Sequence, residues 1–187
     1  ILTNFANGDV IGHTANADAK LTACHVISET VAKVADYARE KGYIVAVTAD
    51  HGNIETLYTE AGKPHVAHTT NLVPFILVDP ERRPVSLRDG MLGDVAPTIL
   101  QLLGLKAPEE MSGRTLIESG SVTGKKVMLI ILDGWGFGTG DDNDAIFLAD
   151  TEKWDALLAA WPNSKLKASG ENVGLQAGKP GNSEAGH

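Results

Sequence analysis

The apolar residues of this chain fall into two rhythms. Unbroken runs, Ile44-Val45-Ala46-Val47 and Val127-Met-Leu-Ile-Ile-Leu132, mark strands buried on both faces. Ile1 to Ala6, Leu72 to Val78 and Ser164 to Ser169 read as further strands, with Pro74 near the start of its run, where a missing N–H is best tolerated. The second rhythm is helical. Between Asp18 and Lys41, Leu21, Cys24, Ile27, Val31, Val34 and Ala38 recur three or four apart and form one stripe. Asn16 is placed to cap that helix and Gly42 to end it. Cys24 lies on the stripe and reads as core; His25 beside it reads as surface. A short helix is expected over Asp94 to Leu103, with Asp94 as its N-cap, Pro97 in its first turn and Gly104 after it. Another is expected from Asp144 to Ala160, ended by Pro162.

Between these elements the chain reads as loops. Ile54 to Lys63 looks like a polar hairpin or loop, turning at Gly62-Lys63-Pro64. Asp79 to Pro84 reads as a charged surface loop and Ala107 to Ser121 as a loop-rich tail. Gly120-Ser-Val-Thr-Gly124 resembles a flexible linker, and Gly170 to His187 is glycine-rich.

Composition narrows the function classes. A length of 187 residues suits one domain, or two small ones. The net charge of −8 argues against unaided binding to nucleic acid or an anionic membrane. An acidic chain that handles phosphate needs cations to offset repulsion, so metal ions enter the picture. Cys24 is the only cysteine, which excludes an intrachain disulfide. The apolar runs are too short to span a bilayer, and no basic stretch followed by an apolar one marks a signal peptide, so a cytoplasmic protein is expected.

Polar residues with chemical capacity collect where strands end. In an α/β sheet, functional groups gather beyond the carboxyl ends of the strands. Asp50 and His51 stand there, either as a pair of metal ligands or as parts of a strand-ending turn. Asp133 follows the Val127 run, with Gly134 and Gly136 allowing close backbone approach. Asp9 and His13 share a face if their backbone is helical and then suit one ion; otherwise they are a turn aspartate and a surface histidine. His65 and His68 lie three apart before a strand. Ser183, after Gly181-Asn182, presents a hydroxyl that is either a nucleophile or an ordinary loop group.

Five segments together resemble one family. They are Asn4-Phe-Ala-Asn-Gly-Asp-Val-Ile-Gly-His13, Thr48-Ala-Asp-His-Gly-Asn53, Ala67-His-Thr-Thr-Asn71, Leu132-Asp-Gly-Trp-Gly136 and Gly181-Asn-Ser-Glu-Ala-Gly-His187. All resemble cofactor-independent phosphoglycerate mutases, of the alkaline phosphatase superfamily. The resemblance implies an α/β fold, a three-layer alkaline-phosphatase-like sheet flanked by helices, formed by residues 1–187 as one phosphatase-type domain. The motif order differs: residues 1–119 resemble the family's C-terminal half, 120–124 a linker, and 125–187 the N-terminal half. This implies a circular permutation, of a kind tolerated where termini are exposed and close. The family's inserted transferase domain, with its phosphoglycerate-binding arginines, is expected to be missing. So is the stretch that precedes the Asn4 strand, a loss that would leave an exposed sheet edge open to pairing.

The same resemblance implies the site. One metal would be held by Asp9, His13 and His68, the other by Asp50, His51 and Asp133 with the Ser183 oxygen. Mn²⁺ is the first expectation for two divalent ions in such an oxygen and nitrogen set, with Zn²⁺, Co²⁺ or Mg²⁺ as alternatives. Ser183 would attack a small phosphomonoester such as phosphoglycerate and become phosphoserine. The family interconverts 2- and 3-phosphoglycerate in glycolysis; lacking the transferase domain, this chain is expected to hydrolyse instead. Two alternatives stand beside this: a mutase core completed by a transferase domain from another chain, and a metal-binding scaffold without turnover. Lys179 and Asn182 are minor candidates for touching phosphate, and no metal role is expected for His65 or His187.

Overall fold

A computed structural model describes residues 1–187. The elements run β1 (Leu2–Phe5), α1 (Asn7–Gly12), α2 (Ala17–Glu40), β2 (Ile44–Thr48), β3 (Val73–Val78), β4 (Val85–Leu87), β5 (Gly90–Met91), α3 (Val95–Leu102), β6 (Ile117–Gly120), β7 (Val127–Leu132), α4 (Ala145–Leu148), α5 (Glu152–Ala160), β8 (Asn163–Lys167) and α6 (Ser183–Gly186).

The most apolar strands take the middle of the sheet. Six strands pair in the order β1-β7-β2-β3-β8-β5. All five residues of β2 and all six of β3 are buried, as strands covered on both faces must be. β7 pairs in parallel with both β1 and β2, so a late strand is wedged between two early ones. β3 runs antiparallel to β2 and β8, and β5 runs parallel to β8. The carboxyl ends of β1, β7, β2, β8 and β5 therefore share one edge of the sheet, which is where the polar motifs lie.

The helical stripe buries as expected. Cys24, Ile27, Val31, Ala35 and Ala38 of α2 are inside, each large side chain contributing about 1.5–3 kcal/mol against exposure. Asn16 caps the helix by accepting from the Ala19 N–H, and Gly42 follows it with φ of 77°. α1, α4 and α5 pack around α2, while α3 packs against β7. Trp135 and Trp154 meet edge to face at 5.4 Å between β7 and α5. The fold is α/β, an alkaline-phosphatase-like sheet flanked by helices.

Several loops depart from the sequence reading. The expected helix over 144–160 is two helices, because Asp144 caps the first and Thr151 Oγ1 donates to the Ile146 carbonyl in the break between them. Asp94 is no side-chain cap: its carboxylate pairs with Arg88 at 3.0 Å and accepts from the Met91 and Arg114 N–H groups. The charged loop after β3 is anchored rather than superficial, since Asp79 is buried and paired with Arg83 at 2.6 Å. The expected tail contains β6, which pairs antiparallel with β4. The segment 120–124 is held in place rather than loose: Val122 is fully buried, the Gly124 N–H donates to Leu102, and Arg83 donates to the Thr123 carbonyl.

Candidate metal centre

Each ligand candidate leaves a different element at the shared sheet edge. Asp133 follows β7, Asp50 and His51 follow β2, and Asp9 sits in α1, with His13 as its C-cap. His68 rides a loop tied to the β2 turn by the Gly52–Thr69 bridge. Ser183 opens α6, whose N-cap Asn182 accepts from the Ala185 N–H.

The first group is tight. Asp9 Oδ1 lies 3.2 Å from His13 Nε2 and 3.1 Å from His68 Nε2, and the two Nε2 atoms are 3.1 Å apart. His13 Nδ1 donates to the Val66 carbonyl and His68 Nδ1 to the Gly181 carbonyl, each at 2.8 Å. A carbonyl only accepts, so both protons sit on Nδ1 in the neutral rings. Both Nε2 lone pairs then face each other and a carboxylate oxygen. Three acceptors in that arrangement repel unless a cation lies among them, and imidazoles tied back through their other nitrogen are the usual partners of a metal.

The second group gathers around His51, which is completely buried. Its Nε2 lies 3.6 Å from Asp50 Oδ2, 3.4 Å from Asp133 Oδ1 and 3.4 Å from Ser183 Oγ. Ser183 Oγ donates to Asp133 Oδ1 at 3.5 Å, so the hydroxyl meets the group at long range. Asp50 Oδ1 accepts from the His51 and Gly134 N–H groups, whereas Oδ2 is buried without a hydrogen-bond partner. A buried carboxylate oxygen without a hydrogen bond, beside the Nε2 atoms of His51 and His187, has the chemistry of a cation ligand. His51 also stacks on His68 at 3.9 Å and so joins the two groups. Its ligand nitrogen lies close to the ligand atoms of Asp9 and His68 as well as to those of Asp50 and Asp133.

Negative charge is concentrated here. Burial, and then the carboxylates of Asp50 and Asp9, push the Asp133 carboxyl above its ordinary range; His51 and the amide of Asn4 pull the other way. The donor set is mixed oxygen and imidazole nitrogen, which suits divalent transition ions.

A layer of supporting residues went unread in the sequence. Asn53 Nδ2 donates to Asp9 Oδ1 at 2.7 Å and fixes the carboxylate. Glu55 is fully buried and accepts from four donors: Asn53 N, Gly136 N, Thr69 Oγ1 and Asn71 Nδ2. It thereby ties together the loops that carry His51, Asp133 and His68. Lys20, buried in α2, donates to the His65 carbonyl at 2.6 Å and the Thr56 carbonyl at 3.2 Å, holding the His68 segment down. Burial lowers the Lys20 pKa, an effect the Glu55 carboxylate opposes.

The minor candidates divide. His187 Nε2 reaches Asp50 Oδ2 at 3.2 Å, closer to the centre than its terminal position suggested. The His65 ring hydrogen-bonds none of the ligand residues, and burial lowers its pKa. Asn182 is engaged as a cap, and Lys179 is exposed.

Comparison with known proteins places the chain in a family. The Metalloenzyme superfamily pattern matches residues 1–107 and 125–187. A 2,3-bisphosphoglycerate-independent phosphoglycerate mutase from Akkermansia muciniphila is 47% identical over 120 residues, covering 64% of this chain and 23% of that protein. One from Flavobacterium psychrophilum is 49% identical over 117 residues, covering 63% and 23%. A third, from Moorella thermoacetica, is 46% identical over 120 residues, again 64% and 23%. The matched stretch thus spans under a quarter of each relative's length.

Proposed function

Because this chain belongs to the Metalloenzyme superfamily, we propose that it is a metal-dependent phosphoryl-transfer enzyme working through Ser183. The observation that carries this reading is the facing pair of His13 and His68 Nε2 lone pairs around Asp9 Oδ1. Two divalent ions, Mn²⁺ foremost, would be held by Asp9, His13 and His68 and by Asp50, His51, Asp133 and Ser183. Bound there, they supply positive charge that favours the Ser183 alkoxide and offsets the phosphoryl oxygens.

The residues of the chain divide the remaining work. Ser183 Oγ attacks phosphorus as its proton passes to solvent; its O–P bond forms as the ester O–P bond breaks, and the alcohol leaves with a proton from solvent. Water then attacks the phosphoserine, releasing inorganic phosphate and restoring the hydroxyl. Asn53 holds Asp9, and the carbonyls of Val66 and Gly181 hold the two imidazoles, so the ligands need little rearrangement during turnover.

The substrate class is a small phosphomonoester such as phosphoglycerate, in keeping with the names of the relatives. Hydrolysis is favoured over return of the phosphoryl group by the openness of the site. The His13 side chain is 45% exposed and the His68 side chain 21%, which gives water a path. The motif order is read as a circular permutation of one phosphatase-type domain, 1–119 joined through 120–124 to 125–187. The gap in the family match between 107 and 125 supports that join. No helix is long and apolar enough to cross a membrane; a cytoplasmic site of action is part of this proposal.

The test is to supply 3-phosphoglycerate and p-nitrophenyl phosphate with Mn²⁺ and to follow 2-phosphoglycerate, free phosphate and p-nitrophenol. Release of phosphate that Ser183→Ala abolishes supports the reading. Formation of 2-phosphoglycerate by the chain alone overturns the hydrolytic assignment. Metal binding with neither product identifies a scaffold instead.

A further inference from the structure

A second feature lies along the same sheet edge. A cavity of about 500 Å³ opens where β5 and β8 end, lined by Arg88, Asp94, Arg114, Lys165, Lys167 and Asn172 among others. In a chain of net charge −8, four cations around one concavity are conspicuous. They are also unequal. Arg88 is spent: its guanidinium donates to Asp94 and to the carbonyls of Asp89, Arg114 and Thr115. Asp94 is spent in turn on Arg88 and two backbone N–H groups, and Asp89 Oδ1 accepts from the Lys165 N–H. Arg114, Lys165 and Lys167 have no carboxylate partner; the Lys165 ammonium rests 5.1 Å above the Phe137 ring.

The placement of the lysines follows from the strand. β8 alternates exposed and buried residues, so Lys165 and Lys167 project from the same face, two residues apart. Arg114 faces them from the segment that Asp94 holds through the Arg114 N–H. Arg88 neutralises Asp94, and Asp89 is engaged by the Lys165 N–H; four cations against these two carboxylates leave the lining net positive, with Arg114, Lys165 and Lys167 facing the open space.

We propose that this cavity is a binding site for a phosphate group. Two sources share that chemistry: inorganic phosphate itself, or the far phosphate of a substrate whose scissile phosphate lies at the metal centre. β8 and β5 are two and three strands from β2, roughly 10 and 14 Å at about 4.8 Å per strand. A phosphoglycerate carries a single phosphate and so has no second one to place here, whereas a hexose bisphosphate carries phosphates at opposite ends of its chain. The second source rests on the phosphoryl-transfer reading given above; the phosphate site itself does not.

The cavity also borders the nucleophile segment. Asn172 lies in its lining and donates to the Ser169 carbonyl, at the start of the loop that leads to Ser183. A phosphate bound there touches the segment that presents the hydroxyl.

The decisive measurement uses the full 187-residue chain, isotopically labelled and stripped of metal with chelator, so that catalysis plays no part. Inorganic phosphate is titrated in at physiological ionic strength and followed by NMR. Saturable shifts in the amides of residues 88–91, 165–167 and 172 are expected. Lys165→Gln/Lys167→Gln, which alters only exposed side chains, should weaken binding about tenfold or more while leaving the melting temperature unchanged. No saturable shifts there, or undiminished affinity in the double variant, overturns the site.

A second arm separates the sources. With Mn²⁺ restored, a hexose bisphosphate that binds at least tenfold tighter than the corresponding hexose monophosphate, an advantage the double variant removes, identifies the far phosphate of a substrate. Equal affinity of the two sugars, with the phosphate titration intact, identifies free phosphate as the occupant. Loss of hydrolytic activity alone would count against the proposed reaction and leave the metal-free titration untouched.

Discussion

Glu55, itself fully buried, accepts a 2.6 Å hydrogen bond from the hydroxyl of half-buried Thr69. The same carboxylate holds Asn53, Gly136 and Asn71, so one buried charge sets the relative positions of three ligand-bearing loops. Glu55→Gln replaces an acceptor oxygen with a donor and strands at least one N–H or hydroxyl. It should cost about 1–3 kcal/mol of stability and weaken metal binding about 10–100-fold. Thermal unfolding and metal titration of the variant measure the two effects separately.

Gly134 has φ of 74°, and a Cβ there would lie 2.8 Å from the Cα and N of Asp9. Those atoms belong to helix backbone and cannot swing aside. Gly134→Ala should therefore push α1 away from β7 and separate Asp9 from Asp133, at a cost of about 1–3 kcal/mol in strain. Loss of metal-induced stabilisation in an otherwise folded variant is the expected signature.

Without metal, the carboxylates of Asp133, Asp50 and Asp9 crowd one another, and the Asp133 pKa is raised first by burial and then by those neighbours. Asp133→Asn should stabilise the metal-free chain while reducing its response to Mn²⁺. For the parent chain, Mn²⁺ at a hundred times its Kd should add about 2.7 kcal/mol, reversed by chelator. Differential scanning fluorimetry of both proteins, with and without Mn²⁺, checks both directions.

The Asp79–Arg83 pair predicts a pH dependence of definite sign. Burial by itself would raise the Asp79 carboxyl, but hydrogen bonds from the Arg83 side chain and backbone outweigh it and hold the pKa below the ordinary range. The folded pKa thus lies under the unfolded one. Stability from this pair is full above about pH 4 and is lost as pH falls through the folded value. Arg83→Met should flatten that acid limb, as urea melts between pH 2 and 5 would record.

Cys24 is fully buried on α2, and desolvation drives its thiol pKa upward, assisted by the charges of Asp144 and Glu55. It should resist thiol reagents in the native chain and react only through opening of the helix layer. Saturating Mn²⁺ should slow labelling by the factor by which it stabilises the fold; labelling at the unfolded rate in native buffer would contradict this.

The parts of the molecule legible in the sequence were those with a strong period. The α2 stripe placed its helix to within a residue, and the two apolar runs were strands as read. Local pattern failed where a distant partner decided the outcome. Asp94 stands where a cap belongs, yet Arg88 claims its carboxylate. β4 and β6 are too short to show alternation, and only their mutual pairing makes them strands. For the site, Asp50, His51 and Asp133 were visible as strand endings and the Asp9–His13 pair as a helical spacing, but the addition of His68 to that pair came from motif resemblance. Glu55 escaped notice because it lies in a segment read as polar loop, and its burial is created by loops from elsewhere in the chain.

The wedging of β7 between β1 and β2 dictates an order of events during synthesis. A ribosome delivers β1 and β2 first, and neither can pair with the other before Val127–Leu132 emerges to lie between them. Until then β2 can pair only with β3, and its other edge stays open, the kind of surface that chaperones hold and that promotes aggregation. Closure of the sheet centre therefore waits on β7, and it is the step that commits the chain.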